Sequence, residues 1–184
     1  IGQRHISNLK KIGINNITAL RSKKGHYKKL PESLGVKEIS SWTEAKKIKS
    51  DIAIISNPSS LHIDAALKIS GHVKGVFIEK PLSNNLSECN QLIDLLNNKK
   101  ITSFVGHNLM FHPVIKKIIE FINENDIGEI INIQCQVGQW LPDWHPYEDY
   151  TKAYYARKDL GGGVSLSLIH EIHLALALAG LPAY

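Results

Sequence analysis

Apolar and polar residues alternate in blocks along the first part of the chain. Short apolar runs predict strands, and they are separated by stretches in which apolar residues recur at helical spacing. The strands are predicted at residues 17–20, 51–56, 76–78 and 101–105. Helices are predicted over 61–70, beginning at Ser59-Ser60, and over 86–97, with Ser83 as the N-terminal cap. This succession predicts βαβ units and a parallel sheet, so the expected fold class is α/β.

The pattern changes after residue 107. Residues 113–124 are predicted to form a helix with Pro113 in its first turn. Residues 129–137 alternate apolar and polar side chains, which predicts a strand with one face covered. An aromatic loop over 140–155 leads to a run of glycines and to an apolar helix over 165–179. We therefore expect two domains, residues 1–107 and residues 108–184.

Both ends of the chain suggest a fragment. A helix that begins at Gly2 and is followed by a strand at residue 17 predicts a further strand before it. The second domain has one clear strand, and a single strand does not make a sheet. We therefore expect a chain that is truncated at both ends.

Composition and charge narrow the possible partners. The chain has 184 residues, 43% hydrophobic and 21% charged, which is typical of a globular protein. It has no apolar run of 18 residues, so we expect no membrane partner. Residues 1–50 hold twelve Lys and Arg residues against three Glu, with only two aromatic residues, Tyr27 and Trp42, among them. This basic half favours a solvated surface or a phosphorylated cofactor over nucleic acid.

Two cysteines, Cys89 and Cys135, lie far apart in the sequence. Their neighbours predict a helix and a strand, so we expect buried, reduced thiols. Reduced thiols favour a cytoplasmic protein.

The main candidate for chemistry is Glu79-Lys80-Pro81, which directly follows the predicted strand 76–78. A lysine at the carboxyl end of a strand points into the crevice where open α/β sheets bind their ligands. The alternative is a solvated strand end. Gly2 fits the third glycine of the dinucleotide-binding pattern G-x-G-x-x-G, where a helix begins against the pyrophosphate.

These motifs occur in an order that resembles the glucose-fructose oxidoreductase / inositol dehydrogenase / MocA (Gfo/Idh/MocA) family of NAD(P)-dependent oxidoreductases. The resemblance covers essentially the whole chain. It rests on Gly2-x-x-His5, Ser56-Asn57-Pro58 with His62, Glu79-Lys80-Pro81, and Gly161-Gly162-Gly163 with His170. It implies a Rossmann-type doubly wound parallel sheet, here without its first strand, followed by the start of an α/β (α+β) C-terminal domain.

The resemblance also implies roles for individual residues. Lys80 would hydrogen-bond the reacting hydroxyl or carbonyl, and His170 would take the alcohol proton as hydride leaves. Substrate contacts would come from Lys80, His170, Trp144 and Tyr155. The cofactor would be bound by Gly2, Arg4, Arg21, Ser22, Ser56, Asn57, Pro58, His62, Glu79, Lys80 and Asn108.

The implied substrate is a sugar. The loop Trp144-His145-Pro146-Tyr147 and the segment Ala156-Arg157-Lys158 resemble bacterial members that act on surface or nucleotide-linked sugars. The full-length relative is expected to be a homo-oligomer. For the cofactor, Arg21 and Ser22 end the strand 17–20 where NAD-binding folds usually carry Asp or Glu, which favours NADP over NAD.

Some residues depart from the family pattern or keep open roles. Ser167 and His173 stand where carboxylates are common, and Met110 where arginine is frequent. A non-catalytic cofactor- or sugar-sensing protein, or an inactive truncated product, are therefore alternatives to an enzyme. Two roles are considered for His62, a contact with the cofactor and a position on the helix surface. His107, His112 and His145 are interpreted as structural or substrate-loop residues. His170 and His173 share a helical face but lack a third ligand, so no metal is expected.

Overall fold

The computed structural model describes residues 1–22 and 30–180. The chain forms an α/β fold with two compact units that alternate along the sequence. The first unit contains residues 1–57, 62–78 and 88–104, and the second contains 58–61, 79–87 and the chain from 105 onwards. The domain boundary predicted between 107 and 108 stays a prediction.

Five short strands were found in the described ranges, four of them where the sequence predicts strands. They are β1 Thr18–Leu20, β2 Lys37–Ile39, β3 Ile52–Ile55, β4 Gly75–Ile78 and β5 Thr102–Val105. β1 pairs in parallel with β2, and β3 pairs in parallel with β4, which lies beside β5. In the strand order 3-2-1-4-5-6, strands 2 and 3 lie on one side of strand 1 and strands 4 to 6 on the other, and the orders β1-β2 and β3-β4-β5 correspond to these two sides.

Four helices accompany the strands of the first unit: α1 Gly2–Lys11, α2 Trp42–Lys47, α3 His62–Ser70 and α4 Cys89–Asn98. Apolar faces of α3 and α4 and alternate positions of the strands supply the core. Its most buried members include Ala66, Val76, Ile78 and Leu92, each at most 3% exposed. Burying each larger apolar side chain contributes about 1.5–3 kcal/mol.

The sequence prediction failed at two places around this unit. β2 and α2 were not predicted, because three and six residues are too few for a clear period. Ser83 does not cap the fourth helix, because α4 begins only at Cys89, after Glu88 in a left-handed conformation. Ser83 instead accepts a hydrogen bond from the Asn85 N–H, and Leu86 lies outside the helix with 89% of its surface exposed.

The second unit consists of short turns and helices. Its helices are α5 Pro113–Asn123, α6 Leu141–Trp144, α7 Val164–Ser167 and α8 His170–Ala179. Single 3-10 turns lie at Ser59–Leu61, Asn108–Phe111, Tyr150–Lys152, Tyr154–Ala156 and Lys158–Leu160. α5 begins at its proline as predicted, and the His112 ring nitrogen Nδ1 caps it by accepting the Val114 N–H at 3.2 Å.

The predicted strand 129–137 is wrong. These residues form no strand, and Ile131 is 96% exposed. Alternation of apolar and polar residues shows which face of a strand would be covered. A strand also needs hydrogen bonds to a partner strand, and none of the described strands pairs with this segment. Cys135 lies here and is exposed, so the prediction of buried thiols is confirmed for Cys89 and wrong for Cys135.

The predicted helix 165–179 is broken. α7 ends at Ser167 and α8 begins at His170, and the segments 158–167 and 170–179 are bent by 52°. By length and composition only, this bent pair could cross a membrane, whereas within residues 1–22 and 30–180 no single helix could. The cytoplasmic location and the absence of a membrane partner stay predictions.

Candidate active site

Lys80 lies at the centre of the candidate site in the second unit. It follows β4 by two residues, and its Nζ donates a 2.6 Å hydrogen bond to the main-chain carbonyl of Ser167. In a continuous helix that carbonyl would accept the N–H of Glu171, four residues on. The break between α7 and α8 therefore leaves it available to the lysine ammonium.

Three histidine rings lie close to each other in the same unit. The rings of His107 and His173 are stacked in parallel with centroids 3.7 Å apart, and His170 meets His107 edge-on at 6.2 Å. His107 follows β5, while His170 and His173 lie on the first turn of α8. The structure thus brings together the two predicted catalytic residues, Lys80 and His170, with two further imidazoles.

All three rings are held towards the neutral form. Burial lowers the pKa of His107 from 6.5 to about 4, and the charges of His173, His170 and Lys80 act in the same direction. Burial is the largest cause that lowers the pKa of His170, and the charge of Lys80 lowers it further. The charge of Glu171 raises this pKa, but by less. Burial lowers the pKa of His173. A neutral imidazole near pH 7 is the form that accepts a proton.

Several polar atoms in this site are buried and unpaired. They are Nδ1 of His107, Nδ1 of His170 and the hydroxyl Oγ of Ser167, whose residue is 6% exposed. Buried polar atoms are normally hydrogen-bonded, so these atoms have bonding capacity left for a ligand or an ordered water. Ser167 thus joins the site by its hydroxyl as well as by its carbonyl.

Close backbone packing explains the run of glycines before α7. A Cβ on Gly161 would lie 2.8 Å from the Ser60 nitrogen, and φ is +81° there. A Cβ on Gly162 would lie 2.6 Å from the Tyr155 carbonyl oxygen and nearer still to that of Tyr154. Only glycine permits both approaches. The glycines therefore fix the start of the segment that carries Ser167 and His170.

The first unit contains the predicted phosphate turn. α1 begins at Gly2 without a side-chain cap, so its first N–H groups have no such partner. A Cβ on Gly2 would lie 3.1 Å from Ser56 Oγ, so the glycine keeps the helix start close to the end of β3. A helix start of this kind fits a pyrophosphate, which would be bound by the N–H groups of the first turn.

His62 supports the neighbouring loop from inside the protein. It is 1% exposed, and its Nε2 lies 2.9 Å from the carbonyl oxygen of Asn57. The ring therefore fixes the chain that follows β3, on which Ser56 and Asn57 lie. A direct cofactor contact of His62 stays a prediction.

Arg21, one of the residues predicted to select the cofactor, forms an ion pair. Nη1 of Arg21 lies 3.1 Å from Oε2 of Glu38, and both side chains are mostly buried. The other carboxylate oxygen of Glu38 accepts the Leu30 N–H at 3.0 Å. Arg4 and Ser22 are exposed. The neighbours of Arg21, Lys23 and Lys24, lie outside the described residues.

The remaining predicted site residues belong to the second unit. Glu79 is half-buried and its charge raises the pKa of Tyr154, after burial as the larger cause. Asn108 is exposed and begins a 3-10 turn, and Pro58 is half-buried. Tyr155 is 5% exposed and donates its hydroxyl to Glu148.

The aromatic loop packs around Tyr155. The Trp144 ring lies 5.0 Å from the Tyr155 ring, and His145 lies 5.4 Å from it. Burial, followed by the hydrogen bond to Glu148, raises the pKa of Tyr155 to about 12. Substrate contacts by Trp144 and Tyr155 stay predictions. No three His, Cys, Asp or Glu residues of the described ranges are arranged to hold a metal ion.

His107 is the residue that sequence reasoning undervalued. It comes two residues after β5, at the carboxyl end of a strand, which is the same argument that selected Lys80. Applied to every strand of the sheet, that rule would have included His107 in the site.

Known proteins are similar to this chain along most of its length. An uncharacterized oxidoreductase of Streptococcus pneumoniae is 27% identical over 152 residues, or 82% of this chain and 40% of that protein. The myo-inositol 2-dehydrogenase of Thermotoga maritima is 25% identical over 186 residues, or 98% of this chain and 52% of that protein. The chain thus spans about half or less of the length of these relatives.

The fold is shared with a solved structure. An NAD binding oxidoreductase from Klebsiella pneumoniae matches 97% of this chain and 50% of its own, with a TM-score of 0.72 and 19% identity. The profile of the oxidoreductase family with an NAD-binding Rossmann fold matches residues 1–107. The chain therefore belongs to the Gfo/Idh/MocA family of oxidoreductases.

Proposed function

We propose that the protein containing this chain transfers a hydride between a sugar and a nicotinamide cofactor, with Lys80 and His170 as its catalytic residues. The observation that carries the proposal is the 2.6 Å hydrogen bond from Lys80 Nζ to the carbonyl of Ser167, which holds the ammonium three residues before His170 in the chain. Membership of an oxidoreductase family supports the reaction class. The name of the myo-inositol 2-dehydrogenase from Thermotoga maritima supports a polyhydroxylated substrate.

In the proposed oxidation the sugar loses one hydride and one proton. In the oxidising direction the carbinol C–H bond breaks and its electron pair leaves with the hydrogen, which the oxidised nicotinamide accepts when it is bound. The hydroxyl proton passes to the neutral ring of His170, and the C–O bond becomes a carbonyl. A positioned base of this kind contributes on the order of 10²–10⁴ in rate.

Lys80 stabilises the charge that develops on the reacting oxygen. One proton of its ammonium is committed to the Ser167 carbonyl, which fixes the position of the group. A lysine ammonium beside the reacting oxygen would stabilise that charge electrostatically.

We assign the cofactor to the residues that the family resemblance implies and favour NADP over NAD. The uncapped start of α1 beside Ser56 would hold the pyrophosphate. Arg21 would hold a 2′-phosphate, in exchange for its ion pair with Glu38.

A second candidate function is a non-catalytic sensor of the cofactor or of a sugar. It is favoured by the absence of any carboxylate hydrogen-bonded to His107, His170 or His173 in the described part of the chain. A carboxylate bonded to the ring of His170 would increase its basicity.

One assay distinguishes the two. The purified protein is incubated with NAD or NADP and a panel of sugars, and the absorbance of the reduced nicotinamide is recorded. The enzyme proposal expects reduction that depends on one class of sugar and on Lys80. Saturable binding of cofactor and sugar without reduction would favour the sensor.

A further inference from the structure

A series of hydrogen bonds joins the aromatic loop to Lys80 within the second unit. The Tyr155 hydroxyl donates to Oε1 of Glu148 at 3.1 Å, and the Tyr155 carbonyl accepts the Gly163 N–H at 3.1 Å. The Gly163 carbonyl accepts the Ser167 N–H at 2.8 Å, and the Ser167 carbonyl accepts a hydrogen bond from Lys80 Nζ at 2.6 Å. The side chain of Glu148 is thereby linked, bond by bond, to the ammonium group of the site.

Tyr155 is held firmly at the loop end of this series. The residue is 5% exposed, and its ring lies beside those of Trp144, His145 and Tyr154, with centroids 5.0, 5.4 and 5.6 Å away. Burial raises the pKa of its hydroxyl to about 12, so the hydroxyl keeps its proton at neutral pH and stays a hydrogen-bond donor. A side chain anchored in this way also fixes the main chain to which it belongs.

The main chain at Tyr155 determines where the next segment begins. A Cβ on Gly162 would lie 2.6 Å from the Tyr155 carbonyl oxygen, so the two backbones are in close contact. α7 follows directly, and its only turn is closed by the bond from the Ser167 N–H to Gly163. A displacement of Tyr155 would therefore move the Ser167 carbonyl, which is a partner of the Lys80 ammonium.

We propose that Tyr155 and Glu148 are positioning residues for the reaction, because they hold the Ser167 carbonyl in place and, through it, the ammonium of Lys80. This inference rests on the proposed function and gives Tyr155 a role that requires no contact with the substrate. Displacing a catalytic group by about 1 Å can cost about 10²-fold in rate. The loss should appear in kcat, because groups that bind the substrate are left in place.

The first test separates kcat from KM. Tyr155→Phe removes the donor and Glu148→Ala removes the acceptor, and each should lower kcat by about 5- to 30-fold while KM stays within about twofold. The double variant should be about as slow as the slower single variant, since both changes break the same bond. Glu148→Gln keeps an oxygen that accepts the Tyr155 hydroxyl and should recover most of kcat.

Tyr150→Phe is the matched control. Tyr150 lies in the same aromatic loop and is half-buried, and its hydroxyl forms no hydrogen bond within the residues that the structure describes. This variant should have the kcat and KM of the wild type. A raised KM with unchanged kcat in Tyr155→Phe would instead identify Tyr155 as a substrate contact.

The second test does not depend on turnover. Lysine side chains are labelled with limiting acetic anhydride, and acetylation of Lys80 is compared by mass spectrometry with that of Lys74, an exposed lysine of the first unit. A lysine reacts as the free amine, and a hydrogen bond that holds the ammonium form slows the reaction. We expect Tyr155→Phe and Glu148→Ala each to raise the relative labelling of Lys80 by about threefold or more, whereas Tyr150→Phe should not.

Unchanged labelling of Lys80 in both variants, or a change in KM without a change in kcat, would overturn the inference. Since Glu148 is half-buried, Glu148→Ala tests the series even if Tyr155→Phe does not fold. Failure of the proposed function gives a different result. Labelling that responds to both variants, without nicotinamide reduction by any sugar, would retain the positioning of Lys80 and reject the enzyme. Reduction at the wild-type rate in both variants would retain the oxidoreductase and reject the positioning role.

Discussion

Lys80 donates a 2.6 Å hydrogen bond to the carbonyl of Ser167, 87 residues further along the chain. This bond joins the segment after β4 to the end of α7, three residues before His170. It takes the carbonyl that a continuous helix would use for the N–H of Glu171. The same lysine therefore fixes the start of α8 and supplies the ammonium group of the site.

Replacing Lys80 should strongly reduce turnover while leaving the cofactor bound. In Lys80→Met the developing oxygen charge loses its ammonium partner, and we expect kcat to fall by a factor on the order of 10²–10³. Cofactor affinity should stay within a few-fold, which is measured by quenching of tryptophan fluorescence.

Lys74→Met is the matched control, because Lys74 forms an exposed ion pair with Asp51 in the first unit. Exposed pairs of this kind contribute little. If the two variants had the same turnover, Lys80 would be a structural residue.

The second residue of the glycine run, Gly162, should not tolerate a larger side chain. In Gly162→Ala the new Cβ would be forced against the carbonyl oxygens of Tyr154 and Tyr155. We expect a loss of about 1–3 kcal/mol in the free energy of unfolding. Thermal unfolding would report this as a lower Tm, by about 2–4 °C for each kcal/mol.

Gly138→Ala provides the comparison, since nothing lies within 4 Å of a Cβ at that position. A Tm for Gly162→Ala as high as that of Gly138→Ala would mean that the glycine run does not pack as described.

Stability should fall on acidification because of His107. Its pKa in the folded protein is about 4, below the ordinary 6.5, so between these values the unfolded chain binds more protons. Stability therefore rises with pH across this interval and is lost as the pH falls through it. The ring is partly solvated, so the slope is smaller than that of one full proton.

Thermal unfolding of the wild type and His107→Asn over this pH range measures the effect. The variant should show the flatter dependence of Tm on pH. An unchanged slope would mean that His107 is not the group held neutral.

Cofactor preference should depend on Glu38. In Glu38→Gln the amide oxygen can still accept the Leu30 N–H, but the negative charge beside Arg21 is lost. We expect the dissociation constant for NAD divided by that for NADP to rise by about three- to tenfold, which means that NADP is preferred more strongly. Glu44→Gln, at an exposed position on α2, should leave this ratio unchanged. If Glu38→Gln leaves it unchanged as well, Arg21 does not bind the 2′-phosphate.

The strands β1, β3, β4 and β5 were predictable because each lies in a short apolar run of the sequence. Their carboxyl ends then suggested Lys80. β2 escaped prediction because its residues, Lys37-Glu38-Ile39, are mostly polar and include one buried side chain. Residues 129–137 show the converse failure, because a correct alternation does not supply a partner strand.

The details of the site depend on contacts that no local pattern contains. The sequence predicts a continuous apolar helix over 165–179, whereas the helix breaks at residues 168–169 and the Ser167 carbonyl accepts a hydrogen bond from Lys80, far away in sequence. The stacking of His107 on His173 also joins residues from different elements. The glycine run was read as a family motif, whereas its physical reason is the close approach of Tyr154 and Tyr155.

The most direct test of the catalytic pair is transfer of deuterium from sugar to nicotinamide in the wild type and His170→Asn. A sugar deuterated at its carbinol carbons is incubated with the protein and oxidised cofactor, and deuterium in the reduced nicotinamide is measured by mass spectrometry. We predict transfer by the wild type and a rate lower by about 10²–10⁴ in His170→Asn, because the hydroxyl proton then has no base. Equal rates of transfer in the two proteins would contradict the assignment of His170 as the base.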